Sequence, residues 1–95
     1  MRGEVLTKVG QIFEIVLAEP ATAGYRWSIT RLAPELHLVG SERKAASGHR
    51  LGRALQHIFR LRGSRPGEYA ITFELRRPWE RQRAEKRTLK VTLSP

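Results

Sequence analysis

The chain has no cysteine, and this absence removes several kinds of chemistry at once. Disulfide bonds, a thiol nucleophile and thiolate metal ligands are all excluded, so stability has to come from packing. The chain also lacks a hydrophobic run long enough for a transmembrane helix or for the core of a signal peptide. We therefore expect a cytoplasmic protein without membrane contact, or a periplasmic or secreted one if a leader has been removed.

Motifs that carry catalysis or bind cofactors are also missing. The histidines lack the spacing of metal ligands, and we expect them at the surface or on strand edges. The serines lie in no nucleophile motif, the glycines form no phosphate-binding loop, and most acidic residues are expected to face solvent. We therefore expect a protein that is not an enzyme, with no cofactor, no metal and no small-molecule substrate. The histidines are His37, His49 and His57.

Positive charge, in contrast, is abundant. The 18 Lys and Arg residues exceed the 9 acidic residues and give a net charge of +9. They are concentrated in residues 43–53, 60–65 and 76–87. Such a balance favours acidic partners, including nucleic acid, anionic membrane surfaces and acidic clefts on proteins, without choosing among them.

Apolar and polar residues alternate along most of the chain, with the period of two that is typical of half-buried strands. Turn residues separate the strands about every 8 to 12 residues, as in all-β sandwiches. The 95 residues suffice for one core but not for two, so we expect one domain over residues 1–95. The predicted strands are 5–8, 11–18, 25–29, one that starts at 36 and fades into 41–44, 55–62, 68–75 and 89–93.

The predicted fold is therefore an all-β, immunoglobulin-like β-sandwich of about seven strands, with a small barrel as the alternative. Trp27 favours the sandwich, because it falls on the third strand, where immunoglobulin-like domains bury a Trp. We assign Trp27 to packing. Tyr25 lies at the loop end of the same strand and could serve both packing and binding.

A second Trp stands at a strand exit, in the stretch Arg76-Arg77-Pro78-Trp79-Glu80. Pro78 has no N–H to donate, so strand pairing should end before it. Trp79 is then left at a loop mouth between charged residues, as an anchor for a partner would be. The alternative is that Trp79 folds back as a lid over the end of the core.

A comparable stretch begins where the second predicted strand ends, with the sequence Pro-Ala-Thr-Ala-Gly-Tyr-Arg-Trp over residues 20–27. It resembles a loop of the form Asn-Pro-Thr-Thr-Gly-Tyr-x-Trp in the chagasin family, the immunoglobulin-like inhibitors of papain-type cysteine peptidases. The match runs without gaps, but Pro, Ala and Ala replace the family's Asn, Pro and second Thr. The matching residues are Pro20, Ala21, Thr22, Ala23, Gly24, Tyr25, Arg26 and Trp27.

Two further loops extend this resemblance over nearly the whole chain. Arg77-Pro78-Trp79 matches the family's Arg-Pro-Trp loop in full. Residues 48–54 occupy the place of a glycine-rich loop, although the family's paired glycines are reduced to Gly52 next to Arg53.

The resemblance implies a reversible inhibitor of papain-family cysteine peptidases. Three loops, at about 19–25, 46–54 and 77–85, would stand side by side and block the active-site cleft without being cut. The expected partner is a papain-like cysteine peptidase, and we expect the inhibitor to be a monomer. The implied peptidase-binding residues are Pro20, Ala21, Thr22, Ala23, Gly24, Tyr25, Gly52, Arg53, Arg77, Pro78 and Trp79.

Two alternatives stay open at this point. The positive charge also fits a basic β-module that binds nucleic acid. Most other aromatic rings of the chain are expected in the core, which leaves Trp79 alone for base stacking. The second alternative keeps the immunoglobulin-like fold as an interaction module without inhibitory activity, because the first loop departs from the family's residues. The rings expected in the core are Phe13, Phe59, Tyr69 and Phe73.

Overall fold

The computed structural model describes residues 3–21, 23–45 and 54–95. These ranges form seven strands and no helix, as the sequence predicts, and therefore contain no helix with the length and apolar character of a membrane span. The strands are β1 (Gly3–Lys8), β2 (Phe13–Pro20), β3 (Arg26–Leu32), β4 (Leu36–Ala45), β5 (Ala54–Gly63), β6 (Gly67–Arg76) and β7 (Glu85–Ser94).

The strands form two sheets that pack face to face. One sheet has the order β1-β7-β6-β3 and the other the order β2-β5-β4. Neighbouring strands are antiparallel except for β1 and β7, which are parallel. The arrangement is the predicted β-sandwich and not the alternative barrel, because each sheet keeps two edge strands within the described residues.

The core lies between the sheets and takes alternate residues from each strand. On β2, Phe13, Ile15 and Leu17 are buried while their neighbours are exposed. Trp27 on β3 is only 2% exposed, so its assignment to packing is confirmed. The rings of Phe59 and Phe73 meet across the two sheets with centroids 5.1 Å apart. Burial of these large side chains, at roughly 1.5–3 kcal/mol each, stabilises the sandwich.

Several strands are longer than the alternation predicts, because strand pairing continues past the last apolar residue. β4 does not fade at 41–44 but pairs with β5 up to Ala45. β2 pairs up to Pro20, so the connection that follows it begins at Ala21 and not at residue 19. β7 starts at Glu85, which pairs with Leu75.

The expected location of the histidines is wrong for His57. This residue lies on β5, the central strand of its sheet, and is only 8% exposed. Glu19 is likewise an exception to the expectation that acidic residues face solvent, since it is 1% exposed. The hydrogen bond between His57 Nδ1 and the Glu19 carboxylate, at 2.9 Å, offsets part of the cost of burying these two polar groups. His37 is exposed as predicted, and His49 lies outside the described residues.

Candidate functional site

Strand pairing brings two connections, and the strand ends that flank a third, to one end of the sandwich, which we call the loop end. The first loop (21–25) joins β2 to β3, and the third loop (77–84) joins β6 to β7. The strand ends that flank the middle loop (46–53) also lie there; the middle loop itself is outside the described residues. The pairs that define the loop end are Pro20↔Ala54, Ala45↔Leu55, Arg26↔Arg76 and Leu75↔Glu85.

The first loop contains two consecutive residues in the left-handed region of backbone space. Ala23 has φ of 65° and Gly24 has φ of 75°. The conformation is natural for glycine, but at Ala23 it costs about 1–2 kcal/mol. Such strain persists only where the surroundings hold the backbone, which points to a loop kept in one conformation.

The ring of Trp79 lies against the first loop. A Cβ built on Gly24 would be 2.7 Å from Cη2 of the Trp79 ring, so the ring rests directly on the glycine backbone. The ring nevertheless remains 70% exposed, so Trp79 is not a lid over the core. The first and third loops are thus in contact at Gly24, and the indole that makes this contact is exposed.

The side chain of Arg77 holds the first and third loops together. Its guanidinium carbon lies 4.8 Å from the centroid of the Tyr25 ring and 5.9 Å from that of Trp79, within the range of cation–π attraction. Its Nε and Nη2 donate to the carboxylate of Glu80 at 2.5 and 3.1 Å. These bonds raise the pKa of Arg77 above its ordinary value. The Glu80 amide closes the turn on the Arg77 carbonyl at 3.0 Å.

Below the first loop lies a buried carboxylate that the sequence analysis did not single out. Glu19 accepts hydrogen bonds from the Trp27 amide at 2.7 Å, from His57 Nδ1 at 2.9 Å and from Arg43 Nε at 2.5 Å. Burial by itself raises the pKa of Glu19, but the Trp27, His57 and Arg43 hydrogen bonds outweigh it and hold the pKa below its ordinary value of 4.5.

A signal for this carboxylate was present in the alternation of β2. Residues 13, 15 and 17 point inward, and the same period places Glu19 inward as well. A charged residue at a buried phase of a strand calls for charged or polar partners. Arg43 and His57 could not be chosen as those partners without the strand register.

The predicted binding residues within the described ranges all lie at the loop end. Pro20 ends β2, Ala21 is half-buried and Ala23 and Gly24 are exposed. Tyr25 and Arg77 are half-buried, and Pro78 and Trp79 are exposed. The remaining predicted residues, Thr22, Gly52 and Arg53, lie outside the described residues.

A β-sandwich that presents a braced aromatic anchor on loops at one end has the architecture of a protein-binding module of immunoglobulin-like type. The family model for the chagasin family peptidase inhibitor I42 matches residues 7–93 of the sequence, so the chain belongs to this family of inhibitors. The family is described as one of peptidase inhibitors.

Solved structures agree with the fold. The cysteine protease inhibitor EhICP2 from Entamoeba histolytica superposes with a TM-score of 0.78 at 18% identity, over 98% of this chain and 87% of that one. Amebosin superposes with a TM-score of 0.71 at 27% identity, over 96% of this chain and 88% of that one. No curated protein sequence matches the chain.

Proposed function

We propose that this chain inhibits papain-like cysteine peptidases by placing its first, middle and third loops in the active-site cleft. The family assignment supports the activity, and one structural neighbour is described as a cysteine protease inhibitor. The observation that carries the proposal is the Trp79 ring, which lies on Gly24 and yet stays 70% exposed. An exposed Trp held in place by its own protein is suited to serve as a binding anchor.

The first loop is suited to enter a narrow cleft without being cleaved. Its residues Ala21, Ala23 and Gly24 have small or no side chains, so the main chain can approach the peptidase closely. A peptide substrate has to lie extended across the catalytic groups, whereas Ala23 and Gly24 are left-handed. The loop can therefore occupy the cleft while keeping its peptide bonds away from the geometry that hydrolysis requires.

The third loop would supply the aromatic anchor of the interface. An interface of this kind buries on the order of 1,600 Å² in total, and a central Trp can contribute roughly 2 kcal/mol or more. Pro78 and the Arg77 contacts hold Trp79 before binding, which reduces the entropy lost on association. Because no covalent step is involved, inhibition should be reversible.

The test is a titration of active papain and of a cathepsin L-type enzyme with the wild-type chain and with Trp79→Ala. We expect stoichiometric, reversible inhibition by the wild type and an inhibition constant raised about 30-fold or more in Trp79→Ala, from the loss of about 2 kcal/mol.

Leu6→Ala is the matched control, because Leu6 is a 74% exposed apolar side chain whose strand partner, Thr92, lies toward the other end of β7. It should inhibit like the wild type. Absence of inhibition of either peptidase at micromolar wild-type protein would refute the proposal, as would equal inhibition by Trp79→Ala.

The structure gives less support to nucleic acid as the partner. Phe13, Phe59 and Phe73 are buried between the sheets, and Tyr69 packs against the same core. Among the described residues, neither sheet therefore presents an aromatic ring on its outer face for base stacking.

A further inference from the structure

Glu19 occupies the point where four strands converge beneath the loops. It is the last inward-facing residue of β2, and its side chain is fully buried. Its three hydrogen-bond donors belong to three other strands: the Trp27 amide to β3, Arg43 to β4 and His57 to β5. One carboxylate thus contacts the strands on both sides of the first loop and on both sides of the middle loop.

The first loop depends on such a link because its two stems lie in different sheets. β2 pairs with β5 and β3 pairs with β6, so no ladder between β2 and β3 joins the stems in the described residues. The stems are instead joined through Trp27, whose amide donates to Glu19 at 2.7 Å and whose indole Nε1 donates to the Ala18 carbonyl at 2.8 Å.

The chemistry of the cluster favours one arrangement of these strands. A buried carboxylate is strongly disfavoured unless donors surround it, so any displacement of β3, β4 or β5 would leave the charge short of partners. His57 is itself held by stacking on Phe59, with ring centroids 4.2 Å apart. The cluster therefore resists relative movement of the loop stems more strongly than apolar packing would, since apolar contacts are not directional.

We propose that Glu19 is a positioning residue for peptidase inhibition. Through the Trp27 amide it holds the stems of the first loop together, and through Arg43 and His57 it ties that loop to the strand ends that flank the middle loop. It does not touch the peptidase. The inference rests on the proposed function, since it assigns Glu19 a part in the same inhibition.

The main experiment compares Glu19→Gln with Ile71→Val. Gln keeps the shape and one acceptor but removes the charge that Arg43 and His57 face. Ile71 is fully buried on β6 and pairs with Leu32, at the end of β3 away from the loops. Ile71→Val should lower the melting temperature by about 4–8 °C and so serves as the control for lost stability alone.

We expect Glu19→Gln to raise the inhibition constant for papain at least tenfold, mainly through faster dissociation, while Ile71→Val inhibits like the wild type. Unchanged inhibition by folded Glu19→Gln would overturn the proposal. An equal loss of inhibition in Ile71→Val would also overturn it, because general destabilisation would then explain the effect.

A spectroscopic measurement separates this proposal from the proposed function. In nuclear magnetic resonance spectra of the free protein, the Gly24 amide and the Trp79 indole report the first and third loops. We expect both signals to shift or broaden in Glu19→Gln and to stay in place in Ile71→Val. If the wild type does not inhibit, the proposed function fails, and this comparison alone decides whether Glu19 positions the loops: unchanged signals would overturn it.

Arg43→Gln provides a second variant if Glu19→Gln does not fold. It leaves the carboxylate with its Trp27 and His57 donors and removes only the ion pair with β4, whose Arg43 side chain is 30% exposed. We expect about threefold weaker inhibition and a shifted Gly24 amide signal. No change in either would overturn the proposal.

Discussion

Gly24 is the residue at which the two described loops of the site meet. Its left-handed backbone turns the first loop, and its missing Cβ admits the ring of Trp79. These are two separate demands, since a side chain at this position would meet both backbone strain and a steric clash. Glycine is therefore favoured at this position both by the backbone conformation of the first loop and by the Trp79 ring that lies against it.

Gly24→Ala should weaken inhibition about tenfold or more, because the new Cβ would have to displace the Trp79 ring from its place 2.7 Å away. The backbone strain should in addition cost about 1–2 kcal/mol of stability. Inhibition constants and melting temperatures of the variant measure the two effects separately.

Gly10→Ala is the control for the strain alone. Gly10 has φ of 82°, and a Cβ built there meets no atom within 4 Å. We expect a similar loss of stability with unchanged inhibition. Equal inhibition by Gly24→Ala and Gly10→Ala would contradict the contact between Gly24 and Trp79 as the basis of binding.

At the scale of elements, the third loop is held by the side-chain contacts of Arg77 together with two backbone hydrogen bonds. Arg77 forms a two-point hydrogen bond with Glu80, and its guanidinium lies within cation–π distance of the Tyr25 and Trp79 rings. The base of the loop closes next to the β6–β7 ladder, where the Ala84 amide donates to the Leu75 carbonyl at 2.7 Å. The planar guanidinium thus couples the third loop to the first.

Arg77→Lys should weaken inhibition about three- to tenfold and leave the melting temperature nearly unchanged. Lysine keeps the charge but loses the planar fork and much of the stacking, and exposed ion pairs contribute little to stability. Inhibition assays and thermal unfolding provide the measurement.

Arg60→Lys is the matched control, because Arg60 likewise bridges carboxylates, Glu14 at 2.8 Å and Glu42 at 2.6 Å, but on β5. It should inhibit like the wild type. If Arg60→Lys lost as much inhibition as Arg77→Lys, the replacement of any arginine by lysine, and not the loss of the Arg77 contacts, would explain the effect.

At the scale of the whole molecule, the Glu19 cluster couples the two sheets and makes their association dependent on pH. Hydrogen bonds from Trp27, His57 and Arg43 hold the pKa of Glu19 below 4.5 despite the opposing effect of burial. A lowered folded-state pKa contributes stability that is fully present above the unfolded value and is lost as the pH falls through the folded value. The sandwich should therefore keep this contribution at neutral and mildly acidic pH.

The corresponding prediction concerns the difference in unfolding free energy between the wild type and Glu19→Gln. This difference should shrink as the pH falls below 4.5, because the unfolded wild-type chain then binds a proton at Glu19 before the folded chain does. Denaturant unfolding at a series of pH values measures it. Glu42, whose pKa is lowered by Arg60, is present in both proteins and cancels. A difference that stays constant down to about pH 2 would contradict the prediction.

The fold could be predicted from local patterns, whereas the proposed binding residues came from the resemblance of three loops to a known family. Alternation located the seven strands, and Pro78 located the end of β6 before Trp79. The predicted ends of the strands were less accurate. Pairing continues to Pro20 in β2 and to Ala45 in β4, beyond the residues whose apolar and polar alternation marks the strand. The structure was also needed to decide whether Trp79 is exposed, since a lone Trp at a strand exit could be a lid over the core or an anchor for a partner.

By itself, the sequence determined the class of fold, the burial of Trp27 and the order of the loops, because each depends on residues close together in the chain. The contact of Trp79 with Gly24, the approach of Arg77 to two rings and the hydrogen bonds of Glu19 with Trp27, Arg43 and His57 could be learned only from the tertiary structure. The physical reason is that these contacts join residues brought together by strand register and sheet packing, and a local pattern of period two specifies which face a residue occupies but not which residue it meets.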